Sequence, residues 1–249
     1  MVYLAHTAHA QLSALWLSCV GWTLTTVALG LIQWRIWQVS DQEVISSGVA
    51  WVGIWRACFN SHNVVSPSFR IMHCRYISLT EAYTPPEIVA GQVLMVLSLL
   101  VGLCANTGGV YALRNVYFGM EKDTPLRLSF FTTGALCLLA AVMSLIPLVW
   151  NLISVATNKT IAFPPEFKMP QAPHSQYAGS GIGVGMVGAI LMIVSGIIFC
   201  MYKIPARPQH VIQPSHKEQA HVDRSSHAKP VSDSRGGGNN PVFESHEHL

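Results

Sequence analysis

Four long apolar stretches, residues 12–32, 88–111, 128–150 and 179–202, alternate with polar connectors along the 249-residue chain. None of them contains Asp, Glu, Lys or Arg. Crossing a hydrocarbon core about 30 Å thick takes roughly 20 helical residues, and a helix satisfies its own backbone there without burying a charge. The pattern therefore predicts four membrane spans. A cleavable signal peptide competes for the first window, because Ala28-Leu29-Gly30 is a passable cleavage site. The first eleven residues carry no Lys or Arg and the apolar run is long, which favours a span.

The polar stretches carry their own signals. With four spans, residues 1–11 and 203–249 share a side. Connector 112–127 holds Arg114, Lys122 and Arg127, and the tail holds Lys203, Arg207 and Lys217; the positive-inside tendency makes this the cytoplasmic side. Connectors 33–87 and 151–178 are then extracellular. Asn158-Lys159-Thr160, a sequon and candidate N-glycosylation site, falls on that side. Trp34, Trp37 and Trp150 close spans on the same side, where indoles suit the headgroup level. Thr84-Pro85-Pro86-Glu87 reads as a helix start with Thr84 as cap, and Ser78-Leu79-Thr80-Glu81 repeats the capping pattern, predicting a shorter helix before the second span.

Connector 33–87 is too long for a simple link and must fold. Residues 44–59 and 69–77 are rich in Val, Ile and aromatics and read as strands, separated by Asn60, Ser61, Asn63, Ser66 and Pro67. Cys58 and Cys74 would then lie on neighbouring antiparallel strands outside the cell, where a disulfide is stable. A bridge of this span contributes about 3 kcal/mol by restricting the unfolded loop.

Composition agrees with a bilayer: charged residues make up 11% of the chain, against about 25% in soluble domains, and mean hydropathy is +0.38. A net charge of +3 with no Lys/Arg block gives no sign of nucleic-acid binding. Residues 183–188 fit G-x-G-x-x-G, but inside an apolar span they are no dinucleotide site. Gly181, Gly185 and Ala189 instead suit close helix packing. Six of the eleven histidines lie in the Pro-, Ser- and Gly-containing tail, which reads as disordered and not as a metal site. No catalytic grouping assembles within one compartment, so no enzyme, metal or cofactor is expected. Cys200, near the cytoplasmic end of the last span, is a candidate for palmitoylation.

Trp34, then Gly53-Ile54-Trp55-Arg56-Ala57-Cys58, then Cys74, resembles the W…G-L-W-x-x-C…C signature of the claudins, four-span strand-forming proteins of tight junctions. Gly21-Trp22, Gln33-Trp34-Arg35 and Tyr177 are similar to further claudin features, and the likeness runs over roughly residues 10–202. It implies a mainly α fold, a left-handed four-helix transmembrane bundle with a small extracellular antiparallel β-sheet. It also implies a plasma-membrane protein of cell-cell junctions whose partners are lipids and other protomers in cis and trans. Arg75 resembles a position where family members place a selectivity-setting charge. With Arg56 and Arg70, and no acid between 56 and 75, a cation-restricting barrier or weak anion pathway follows.

The chain departs from the family in four places. Its cysteines enclose fifteen residues, more than usual; the arginine usual before the second span gives way to Gly91 or Gln92; and "AFPPEFKMP" is only loosely like the usual aromatic turn. Glu247-His248-Leu249 replaces the usual Tyr-Val end, leaving only an apolar carboxyl terminus for a PDZ scaffold. A cis-acting membrane organiser or auxiliary channel subunit of the wider peripheral-myelin-protein-like superfamily is the alternative.

Overall fold

The computed structural model describes residues 9–39, 48–61, 71–118, 123–167 and 172–202. Four helices form the body: α1 (His9–Gly30), α2 (Pro86–Tyr117), α3 (Asp123–Ala156) and α4 (Ser180–Cys200). Each is long and apolar enough to cross a membrane. α2 and α3, with 32 and 34 residues, extend well past the apolar windows read from the sequence. At 1.5 Å per residue they are about 50 Å long, so their ends stand clear of a 30 Å hydrocarbon core.

The helices form a ring in which α1 touches α2 and α4, and α3 touches the same two. The buried positions explain why. In α1 they are Gln11, Ala14, Ser18, Gly21, Thr25 and Ala28, spaced alternately three and four apart, and α2 repeats the rhythm through Met95, Ser98, Gly102, Ala105, Gly109 and Ala112. This 3.5-residue period is the seam of left-handed helix packing. Apart from Gln11 and Met95 the seam is built from small residues, while Trp16, Leu100 and Leu103 face outward. Lipid is as apolar as leucine, so close packing and buried hydrogen bonds hold the helices together. Trp22 Nε1 donates to the Leu99 carbonyl at 2.9 Å, Ser98 to Ala140 at 2.7 Å, and Ser195 to Ala14 at 2.7 Å. Gly21 and Gly188 meet at the α1–α4 crossing, where a β-carbon on either lies under 3 Å from the other's carbonyl oxygen.

At one end of the bundle stands a five-stranded antiparallel sheet: β1 (Arg35–Gln38), β2 (Val49–Val52), β3 (Arg56–Ser61), β4 (Ile71–Tyr76) and β5 (Ser175–Ala178). The strand order is β4-β3-β2-β1-β5. The described part of 44–59, expected as one strand, is two. Gly53 donates its N–H to the Arg56 carbonyl at 2.8 Å and turns the chain back. β1 and β5, four residues each, were not expected from the sequence.

Three local expectations are corrected. The 78–81 segment forms turns, not a helix: Thr84 Oγ1 donates to the Ser78 carbonyl at 2.9 Å, and the prolines follow too soon for a further helical turn. The cap of α2 is Pro85, not Thr84; Pro85 is held extended (φ −70°, ψ 151°) by Pro86 after it. Trp34 and Trp37 are buried, at 1% and 0% exposure, not interfacial. The chain turns into β1 straight after α1, so Trp34 donates to the Ala28 carbonyl at 2.8 Å and Trp37 faces the core under the sheet, edge-on to Phe163.

Candidate functional site: the sheet and its anchor

Side chains alternate across a strand, and the register sorts the sheet into two faces. Trp37, Ala50, Val52, Ala57 and Phe59 pack with Ile54, Ile77 and Ile88 into the core against the bundle end. Phe163 and Phe167 of "AFPPEFKMP" stack on each other and meet Tyr83 within the same core. The opposite face carries the pair Cys58 and Cys74, directly across β3 and β4 and joined as a disulfide.

The signature residues hold the β2–β3 turn onto the membrane helices. A β-carbon on Gly53 would come within 2.9 Å of the Ile32 backbone, so only glycine allows this approach. Ile54 is fully buried beneath Gly91. Gln92, one of the two residues expected where the family usually has arginine, donates from Nε2 to the Ile54 carbonyl at 2.7 Å and the Ile77 carbonyl at 2.9 Å. One neutral amide thus ties the turn and the end of β4 to α2.

A second tie was not legible in the sequence. Arg35, 1% exposed, donates from Nη2 to Glu87 Oε1 at 3.1 Å and to Asn151 Oδ1 at 2.8 Å. Ser154 donates to the same Glu87 oxygen at 2.7 Å, and Asn151 Nδ2 to the Glu87 carbonyl at 2.9 Å. Burial lowers the Arg35 pKa from its ordinary value, and the hydrogen bond and charge of Glu87 act against that fall. The group pins β1 to α2 and α3. Its only signal in the sequence is a single acid and a single asparagine at the ends of apolar windows.

The arginines do not form one cluster. Arg75 lies across from Ala57, and Arg56 across from Tyr76, so the two occupy opposite faces of the sheet. Both are exposed; Arg70 lies outside the described residues. Arg75 is exposed on the core-bearing face of β4, the edge strand among the described residues.

Asn158 has φ 53° and closes α3: its N–H donates to the Val155 carbonyl and that of Lys159 to the Ser154 carbonyl. This is the helix-ending arrangement that favours glycine or asparagine in the left-handed conformation. The Cys200 Sγ lies between α4 and α3, against Gly134. Glu247, His248 and Leu249 lie outside the described residues, as do the histidines of the tail.

Four membrane-length helices carrying a disulfide-clamped sheet at one end define a four-span membrane protein with one folded domain beyond the bilayer. Comparison with known proteins agrees. A family model described as PMP-22/EMP/MP20/Claudin tight junction matches residues 19–201, and the chain belongs to that family. It is similar to claudin-3 of Canis lupus familiaris, 28% identical over 190 residues, covering 74% of this chain and 78% of the relative. It is similar also to claudin-19 of Rattus norvegicus, 26% identical over 208 residues and covering 82% and 86%, and to claudin-18 of the same species, 22% identical over 201 residues and covering 78% and 74%. The chain is a claudin-like, multi-pass tight-junction membrane protein.

Proposed function

We propose that the chain is a structural component of paracellular strands, with the sheet outside the plasma membrane, both termini cytoplasmic, and contacts to other protomers in cis and trans through the two sheet-forming connectors. Arg75 sets its ion preference. The observation that carries this reading is the placement of Arg75: an exposed cation on the edge strand of a rigid sheet, one residue past a disulfide and fixed in register against Ala57. A cation held in a confined aqueous space is screened less than one in bulk water, so repeated copies repel cations and favour anions. Because Arg56 is on the other face, Arg75 acts without it.

Dilution potentials across leaky epithelial monolayers expressing wild type or Arg75→Glu test this. Wild type lowers the sodium-to-chloride preference of the monolayer, and Arg75→Glu raises it. The same preference in both removes Arg75 from the account.

A cis-acting membrane organiser or channel subunit is the second reading. It draws on the lengthened cysteine hairpin, and on the breadth of a family that takes in peripheral myelin proteins as well as claudins. Freeze-fracture of transfected fibroblasts separates the two: strands at cell contacts support the first, and diffuse surface distribution with co-purification of a channel supports the second.

A further inference from the structure

Where α1 ends, a cavity of about 470 Å³ opens between the helix and the sheet, lined by Gly30, Leu31, Ile32, Trp55, Arg56 and Tyr76. Its chemistry is mixed. Trp55 and Tyr76 stack with ring centres 6.4 Å apart and planes 25° from parallel. Trp55 is half-buried, Tyr76 is 61% exposed, and Arg56 beside them is exposed and forms no ion pair with any described acid. The helix end contributes the opposite sign. The last carbonyls of a helix carry about half a negative charge; the last turn of α1 has no basic residue, and only the Val27 and Ala28 carbonyls are partly offset, by the Leu31 N–H and the Trp34 indole.

The cavity therefore offers three things within one small space: a guanidinium for an oxyanion, the negative end of a helix dipole for a cation, and an aromatic pair whose faces attract an ammonium group. Its level is fixed by the chain, since α1 is membrane-spanning and stops at Gly30. The molecules present at that depth are lipid headgroups. Leu31 and Ile32 add apolar surface to the lining.

We propose that this cavity binds the headgroup of a zwitterionic phospholipid, the phosphodiester on Arg56 and the quaternary ammonium against Trp55, Tyr76 and the end of α1. The site uses the β2–β3 turn, so an occupied site ties that turn to the leaflet independently of the Gln92 and Arg35 anchors. It needs none of the paracellular reading, and stands if Arg75 proves silent.

Native mass spectrometry of the full-length protein in detergent, titrated with phosphatidylcholine, phosphatidylglycerol or the free headgroup glycerophosphocholine, tests it. Wild type retains one phosphatidylcholine per chain, at least about tenfold more tightly than phosphatidylglycerol, which has the phosphate without the ammonium. Glycerophosphocholine competes weakly, since it lacks the acyl chains. Arg56→Gln and Tyr76→Leu each weaken phosphatidylcholine by about tenfold while thermal unfolding stays within 2–3 °C of wild type; both are surface substitutions outside the core. Equal retention of the two lipids, or unchanged retention in both variants, overturns the proposal.

Discussion

Gln92 satisfies two carbonyls from different segments, those of Ile54 and Ile77, near the start of α2. Leucine there leaves both buried carbonyls without a donor, at about 1–3 kcal/mol each. Gln92→Leu is thus expected to lower the thermal unfolding midpoint in detergent sharply, with reduced surface delivery in cells; an unchanged midpoint contradicts the anchoring role. Asn158 makes a different kind of contribution, through its backbone. Alanine in the left-handed conformation costs about 1–2 kcal/mol, and glycine adopts it freely. Asn158→Ala should therefore destabilise while Asn158→Gly does not, in the same unfolding measurement. Equal effects of the two would show that the side chain matters beyond conformation.

At the scale of elements, the bundle depends on two helices meeting backbone to backbone. The string Gly183-Val184-Gly185-Met186-Val187-Gly188 contains its own control. A β-carbon on Gly188 falls 2.8 Å from the Gly21 carbonyl oxygen, and one on Gly183 meets nothing within 4 Å. Gly188→Ala forces α1 and α4 apart and costs about 1–3 kcal/mol, whereas Gly183→Ala is neutral or slightly stabilising, since alanine is the better helix former. Thermal unfolding of the two purified variants checks the pair, and the reverse ranking would refute this crossing. The helices were legible from the sequence because a charge-free run of more than twenty residues has few alternatives in a membrane. The sheet was legible only in part. The Cys58–Cys74 pairing followed from two apolar runs and a polar turn, but β1 and β5 are four residues each and gain their stability from Trp37 and the aromatic residues of the second connector, contacts that no local pattern records. The same holds for Trp34 and Trp37: next to a span, an indole reads as interfacial unless the strand that buries it is known.

For the whole molecule, stability and function meet where the sheet sits on the bundle. Gly53 against Ile32, Gln92 under the β2–β3 turn, and Arg35 with Glu87 and Asn151 leave the sheet few ways to move relative to the helices. The claudin signature could be recognised in the sequence, but the polar anchor could not, because Arg35, Glu87 and Asn151 are far apart in the chain and meet only in the folded protein. A rigid sheet is useful to a junction only if it stands outside the cell. Single cysteines at two exposed positions, Glu81→Cys in the turns beside the sheet and Phe118→Cys past the far end of α2, test this most directly with a membrane-impermeant maleimide on living cells. Labelling of Glu81→Cys in intact cells, and of Phe118→Cys only after permeabilisation, is the predicted result; the opposite pattern, or labelling of neither until the membrane is opened, contradicts it.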